Sequence, residues 1–176
     1  MIKKKYKNLI IDVDGVMTDG KFYYSHDGKV MKAFGADDHD ALSILKNYMN
    51  IIFVTGDKKG FKISRKRIVS HMGFKLSLVS TVKRIEWIKK KYLLDESIYI
   101  GDGIFDYLVM ERIGFSITPN NSNNFTKKHA DHVLKRPGGD RAVAEACLFI
   151  LNKFFKIKDF SKINLKNKKM SGSWAI

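Results

Sequence analysis

Two aspartates, Asp12 and Asp14, stand at the end of an apolar run in the segment LIIDVDGVMTDG, residues 9–20. Residues two apart on an extended chain point to the same side, so both carboxylates can face one bound species. Like charges this close repel each other unless a cation or a shared proton intervenes. Hard carboxylate oxygens near phosphate favour Mg²⁺. The pair therefore predicts a magnesium site, and a solvent-facing Asp-Gly turn is the simpler alternative.

Polar residues also follow two later apolar runs. After IIFV come Thr55 and Gly56, whose hydroxyl and open backbone N–H can both bind a phosphate oxygen. After IYI come Asp102 and Asp106, a second acidic pair. Between these runs, Lys83 stands in the first turn of a predicted helix, where its ammonium and the positive helix end would act on the same anion. Their order along the chain indicates a phosphate site beside a metal.

The elements that must position these residues alternate between strand and helix. The sequence predicts strands over 9–13, 51–55, 76–79, 98–101, 115–117 and 132–134, and helices over 38–48, 60–72, 82–92, 105–112 and 123–129. A last helix is predicted from apolar residues at three- and four-residue steps (Val143, Ala146, Cys147, Ile150, Leu151 and Phe154), with Asp140 as its cap. This alternation predicts an α/β fold, a doubly wound parallel sheet. Such sheets bind ligands at the carboxyl ends of their strands.

One segment, GKFYYSHDGKVMKAF of residues 20–34, predicts a β-hairpin around His26-Asp27-Gly28 instead. The aromatic residues 22–24 are consecutive and have little polar relief, which favours a subunit contact over a lone exposed ribbon.

Composition bounds the architecture and the compartment. A chain of 176 residues, 44% hydrophobic, is enough for one core, so we expect one domain over 1–155 and a basic tail over 156–176 that is either flexible or docked. The single cysteine, Cys147, cannot form an internal disulfide and is expected to be an inert core thiol. No apolar run approaches the roughly 18 residues of a membrane span, and Asp12 interrupts the first run too early for a signal peptide. We therefore expect a cytoplasmic protein without a membrane partner.

The net charge of +15 would suit a nucleic acid or another polyanion. The lysines and arginines lie mainly on predicted helix faces and near the termini, without the interleaved aromatic residues of a stacking platform. Solvated helix faces explain the charge better, and nucleic acid is not expected as a partner. The five histidines lack metal-ligand spacing, so a zinc site is not expected.

The segments DVDGVMTDG, Thr55-Gly56, Lys83 and GDGIFD resemble, in order, the four motifs of the haloacid dehalogenase superfamily of phosphohydrolases. The hairpin and the segment RPGGDRAVAEAC are similar to the 3-deoxy-D-manno-octulosonate 8-phosphate (KDO 8-phosphate) phosphatase branch. This resemblance implies a fold without a large cap domain. It also implies a homotetramer in which hairpins and neighbouring chains close the active site.

The resemblance further implies residue roles. Asp12 would attack phosphorus to form an aspartyl-phosphate, and Asp14 would act as general acid and then as general base. Mg²⁺ would be held by Asp12, the backbone carbonyl of Asp14 and Asp102, and Asp106 would order these ligands. The phosphate would be held by Thr55, Gly56 and Lys83. The expected reaction is hydrolysis of a small sugar phosphate, KDO 8-phosphate or a related nonulosonate phosphate.

Four positions depart from this family pattern, one of them Gly103, which stands where many relatives have a second Asp. Gly35 and Asp37 stand where relatives usually carry His and Arg, and Asp57 stands where they carry Arg. Losing guanidinium groups that could bind a sugar carboxylate favours a different or less acidic sugar. Two other functions stay open, namely a phosphatase of nucleic-acid ends or phosphoproteins and a noncatalytic assembly partner in a polysaccharide pathway.

Overall fold

The structure, a computed structural model, describes residues 6–160, so the predicted tail beyond residue 160 lies outside the described residues. These residues contain eight strands: β1 (Asn8–Asp12), β2 (Tyr23–Ser25), β3 (Gly28–Met31), β4 (Asn50–Thr55), β5 (Lys75–Leu78), β6 (Ser97–Ile100), β7 (Phe115–Thr118) and β8 (His132–Val133). Six of them form one parallel sheet in the order β5-β4-β1-β6-β7-β8. The predicted doubly wound parallel sheet is confirmed, with β1 in its interior.

The described residues also form six α-helices, five between strands and one after the last strand: α1 (Asp37–Leu45), α2 (Phe61–Arg65), α3 (Arg84–Lys89), α4 (Tyr107–Met110), α5 (Asn124–His129) and α6 (Ala142–Phe155). A π-helical turn, Lys66–His71, extends α2, and short 3₁₀ turns cover Thr81–Lys83, Leu94–Glu96 and Ile104–Asp106. Two α-helices, α3 and α4, are shorter than predicted because their first turns are 3₁₀. The predicted helix over 82–92, for example, begins as the Thr81–Lys83 turn and becomes α-helical only from Arg84 to Lys89.

The sheet is buried on both faces, as the uninterrupted apolar residues of β1 predict. Leu9 and Ile11 are fully buried in a cluster with residues of α1 and α6, whereas Ile10 is fully buried in a second cluster with residues of α3 and α4. Burying each such side chain contributes about 1.5–3 kcal/mol. Since both faces of β1 are covered, its carboxylates emerge only at the carboxyl end.

The start of α6 corrects one prediction, because its cap is not Asp140. Arg141 precedes the helix in the left-handed conformation, with a φ of 63°. The backbone N–H of Ala144 donates instead to Oδ1 of Asp38, on α1, over 2.8 Å. Asp38 is fully buried, and burial raises the pKa of its carboxyl. This cap comes from 106 residues away, so the local sequence carried no signal for it.

The predicted hairpin is confirmed as an antiparallel pair, β2 and β3, which forms a sheet of its own between β1 and α1. Gly28 follows the two-residue turn with a φ of +117°, which favours glycine. The hairpin exposes the large apolar side chains of Phe22, Tyr23, Tyr24, Val30 and Met31. Two lysines of the same segment, Lys29 and Lys32, turn inward and have side chains only 4% and 0% exposed.

No helix of the described residues is both long enough and apolar enough to cross a membrane.

Candidate active site

The candidate site lies where three neighbouring strands end. β1 pairs with β4 on one side and with β6 on the other, so their carboxyl ends are adjacent. Asp12 ends β1, Thr55 ends β4, and Asp102 lies two residues beyond the last residue of β6. Residues separated by 90 positions in the sequence therefore meet in one place, as the strand pattern predicts.

Three carboxylates form an acidic cluster, since Asp12, Asp102 and Asp106 each offer an oxygen within 4.8 Å of the others. Burial, together with the charges of Asp12 and Asp106, raises the pKa of Asp102 to about 8. Burial also raises the pKa of Asp12 to about 6, against the opposing effect of Arg84. A divalent cation would relieve this crowding of like charges, and the all-oxygen donor set suits Mg²⁺. The residues present therefore fit Mg²⁺.

Gly15 lets the loop after β1 approach this cluster. Its φ is +86°, and a Cβ atom built on it would lie 1.9 Å from Oδ2 of Asp102. A larger residue would displace Asp102 from the cluster as well as strain the backbone. The glycine in the first motif is thus required by the close approach of Asp102.

Asp106 is held by donors of the protein itself. Its Oδ1 accepts hydrogen bonds from Arg84 over 2.9 Å and from the hydroxyl of Tyr99 over 2.6 Å, and its Oδ2 accepts from the N–H of Gly103 over 2.9 Å. Because both oxygens are already used, Asp106 is better suited to ordering the metal ligands than to replacing one of them.

The structure brings Arg84 to the cluster, whereas the predicted phosphate-binding residue Lys83 lies outside it. Nη1 and Nη2 of Arg84 donate to the two oxygens of Asp12 over 2.8 and 3.3 Å, and the Arg84 side chain is 1% exposed. Its Nε–H is buried without a hydrogen-bond partner among the described residues. Lys83 lies at the end of the Thr81–Lys83 turn and is exposed. A signal for Arg84 was present, since it lies four residues before Ile88 and so shares the buried face of α3.

The carboxylate of Asp14 faces a different set of partners. The hydroxyl of Thr55 donates to its Oδ2 over 3.0 Å, and the ammonium of Lys32 lies 2.6 Å from its Oδ1. Beside it is a cleft of about 300 Å³, lined by Asp12, Asp14, Phe22, Lys29, Gly56, Asp57, Thr81 and Arg84. Asp12 and Asp14 thus reach one cleft with separate supporting residues. Sequence reasoning missed Lys29 and Lys32, because no local pattern indicates where a hairpin folds back.

The departures from the family pattern lie in two environments. Asp57 forms ion pairs with Lys29 over 2.5 Å and Lys32 over 2.8 Å at the edge of the cleft. Although its burial acts in the opposite direction, hydrogen bonds from these lysines lower the pKa of Asp57 to about 2. Asp37 instead pairs with Arg141 over 2.6 Å at the surface. Of these two aspartates, which stand where relatives carry arginine, only Asp57 lines the cleft.

A parallel sheet whose central strand ends in two aspartates, beside Thr-Gly and a second acidic pair, defines the class of haloacid dehalogenase-type phosphohydrolases. No protein-family model matches the chain. It is 30% identical over 149 residues to the 3-deoxy-D-manno-octulosonate 8-phosphate phosphatase of Salmonella typhi, covering 81% of this chain and 78% of that protein. The chain belongs to this phosphatase family of the haloacid dehalogenase superfamily, whose members are phosphoric monoester hydrolases.

Solved structures agree with this assignment. The phosphatase of Moraxella catarrhalis, solved with a magnesium ion, a phosphate ion and KDO, matches with a TM-score of 0.74 and 28% identity, over 85% of this chain and 88% of that one. The cobalt-bound phosphatase of Haemophilus influenzae matches with a TM-score of 0.75 and 26% identity, over 85% and 89% of the two chains.

Proposed function

We propose that this chain is a Mg²⁺-dependent phosphatase that hydrolyses KDO 8-phosphate or a related nonulosonate phosphate through an aspartyl-phosphate intermediate. The observation that carries the proposal is the arrangement around Asp12, which adjoins two further carboxylates, a buried arginine and an open cleft. The Moraxella relative, solved with magnesium, phosphate and KDO, supports both the metal and the substrate class.

In the first step, a carboxylate oxygen of Asp12 attacks phosphorus, and the bond from phosphorus to the sugar oxygen breaks. Asp14 gives its proton to that oxygen, so the sugar leaves as an alcohol. Arg84 holds both oxygens of Asp12 and so fixes the direction of attack. The two aspartates are held by separate partners, Arg84 for Asp12, and Thr55 with Lys32 for Asp14.

In the second step, Asp14 takes a proton from water as the water oxygen attacks phosphorus. The bond from phosphorus to the Asp12 oxygen breaks, which releases phosphate and regenerates the carboxylate. Mg²⁺ would be held by Asp12, Asp102 and the backbone carbonyl of Asp14. It would neutralise part of the charge on the phosphoryl group. The N–H of Gly56 and the unpartnered Nε–H of Arg84 are donors suited to the phosphoryl oxygens. Thr55 contributes through its hydrogen bond to Asp14, and Asp106 through Arg84.

The function is tested by phosphate release with Mg²⁺ and with EDTA across sugar, ulosonate, nucleotide and polynucleotide phosphates. We expect release that requires Mg²⁺, at least about 10²-fold above the EDTA rate, and that is selective for one ulosonate or related sugar phosphate. Release that persists in EDTA would contradict the metal role. Preference for polynucleotide ends would favour the alternative in which the charge of +15 is functional.

We also propose that the protein acts in the cytoplasm as a homotetramer assembled through the exposed apolar side chains of the hairpin. The hairpin segment exposes five large apolar side chains, which are costly to leave in water. Light scattering should therefore give four times the chain mass of 20.2 kDa. Tyr24→Lys, which places a charge on the most exposed of the three aromatic residues, should give smaller species, and an unchanged tetramer would contradict this interface.

A further inference from the structure

Lys32 occupies an unusual position for a lysine next to an exposed strand. It directly follows β3, yet its side chain is completely buried. Its ammonium lies 2.6 Å from Oδ1 of Asp14, 2.8 Å from Oδ2 of Asp57 and 3.0 Å from Oγ of Ser64. The hydroxyl of Ser64 accepts a hydrogen bond from this ammonium, and the two carboxylates form ion pairs with it.

The acceptors come from three separate parts of the chain. Asp14 belongs to the loop after β1, Asp57 to the loop after β4, and Ser64 to α2. A buried ammonium is destabilising unless it is paired, so Lys32 is held where both carboxylates can reach it. Lys32 therefore joins the hairpin to both loops.

The consequence falls on Asp14, whose carboxylate is fixed at both oxygens. Thr55 donates to Oδ2 over 3.0 Å, and Lys32 pairs with Oδ1 over 2.6 Å. A general acid must lie within hydrogen-bond reach of the leaving oxygen, and a displacement of 1 Å can cost about 10²-fold in rate. Without Lys32, only the hydrogen bond from Thr55 would hold the Asp14 carboxylate, and the carboxylate could rotate about that contact.

Lys29 provides a natural comparison within the same hairpin. Its ammonium pairs with the same Oδ2 of Asp57 over 2.5 Å and lies 3.2 Å from the ring centroid of Phe22. It is almost as buried as Lys32, with 4% of its side chain exposed. The ion pair of Lys29 is thus with Asp57, whereas Lys32 pairs with both Asp57 and Asp14.

We propose that Lys32 is a positioning residue for the chemical step: held by Asp57 and Ser64, it orients the Asp14 carboxylate toward the leaving-group oxygen. The hairpin then contributes to proton transfer and not only to the wall of the cleft. This inference rests on the proposed phosphatase function. It also gives Asp57 a role, because this acid anchors the ammonium that orients Asp14.

The test compares Lys32→Met with Lys29→Met on two substrates, the sugar phosphate that the parent hydrolyses fastest and p-nitrophenyl phosphate. Nitrophenolate leaves without a proton, whereas a sugar alkoxide needs one. For Lys32→Met we expect kcat to fall about 10²-fold on the sugar phosphate and less than about 10-fold on p-nitrophenyl phosphate, with little change in KM. Lys29→Met should change mainly KM on the sugar phosphate, with kcat within about threefold.

Equal losses of kcat for the two lysine variants, or for the two substrates, would overturn the positioning role. A parent inactive on both substrates would instead overturn the proposed function. If Lys32→Met does not fold, as judged by its thermal transition, Asp57→Asn serves in its place. This variant removes the carboxylate that anchors Lys32 but leaves the pair between Lys32 and Asp14. It should show the same substrate-selective loss at about 10-fold, and unchanged kcat on the sugar phosphate would count against the proposal.

Discussion

Asp12→Asn should abolish phosphate release while the protein remains folded. Asparagine has nearly the same shape and keeps an oxygen that can accept from Arg84, but it cannot form the acyl-phosphate bond. We expect kcat to fall by at least about 10³-fold, the scale seen when a nucleophile is removed. The melting temperature should not fall, because Arg84 keeps its ion pair with Asp106 and because burial makes the ionised carboxylate of Asp12 costly, which raises its pKa to about 6. The amide removes that cost above this pH.

The matched control is Asp19→Asn, which makes the same chemical change in the same loop. Asp19 pairs with the exposed Lys21 over 3.8 Å, a contact that contributes little. Its activity should stay within about threefold of the parent. In rapid-quench experiments on the parent, the free sugar should appear before free phosphate, because the phosphoryl group is first held on Asp12. Parent-like turnover by Asp12→Asn would remove Asp12 from the chemistry.

Arg84→Met should destabilise the protein more than any other single change considered. The guanidinium forms ion pairs with Asp12 and Asp106 inside the protein, and it also contacts the hydroxyl of Tyr99. Removing one partner of a buried ion pair typically costs about 3–5 kcal/mol, because the remaining charge is left uncompensated. The free energy of unfolding in urea should fall by about that amount, and activity should fall with it.

Lys83→Met is the matched control for Arg84→Met, since it makes the same kind of change one residue earlier on an exposed side chain. Its free energy of unfolding should stay within about 0.5 kcal/mol of the parent value, with turnover preserved. If Lys83→Met lost activity and Arg84→Met did not, the original prediction for Lys83 would be correct. Arg84→Lys keeps the charge but loses the bidentate contact with Asp12. Its free energy of unfolding and its turnover should therefore lie between those of the parent and of Arg84→Met.

Much of the site could be predicted because its signals are local. Apolar runs of four or five residues ending in Asp12, Thr55 and Gly101 indicate buried parallel strands, and such strands end on the same edge of a sheet. The chain itself therefore determined which side chains meet there, the acidic cluster among them. Likewise, the three- and four-residue spacing in α6 determined its buried face.

The choice between neighbouring residues depended on helix phase. Lys83 and Arg84 are both basic, and the sequence places both at the start of one predicted helix. A first turn of the 3₁₀ type rather than α-helical rotates each side chain about the axis, and only Arg84 then faces Asp12. The spacing from Arg84 to Ile88 carried this information, but the position of the helix start had to be known first.

Other features were decided by tertiary structure alone. Asp38 caps α6 from 106 residues away, and Lys32 reaches Asp14 only because the hairpin folds back over the end of β1. Hydrogen bonds and ion pairs depend on distance in space, whereas secondary-structure patterns depend on distance along the chain. The sequence by itself determined the sheet and the carboxylates at its edge, whose signals are periodic and short-range. Only the tertiary structure decided which cations approach those carboxylates, because each ammonium or guanidinium group is carried there by the packing of a separate element.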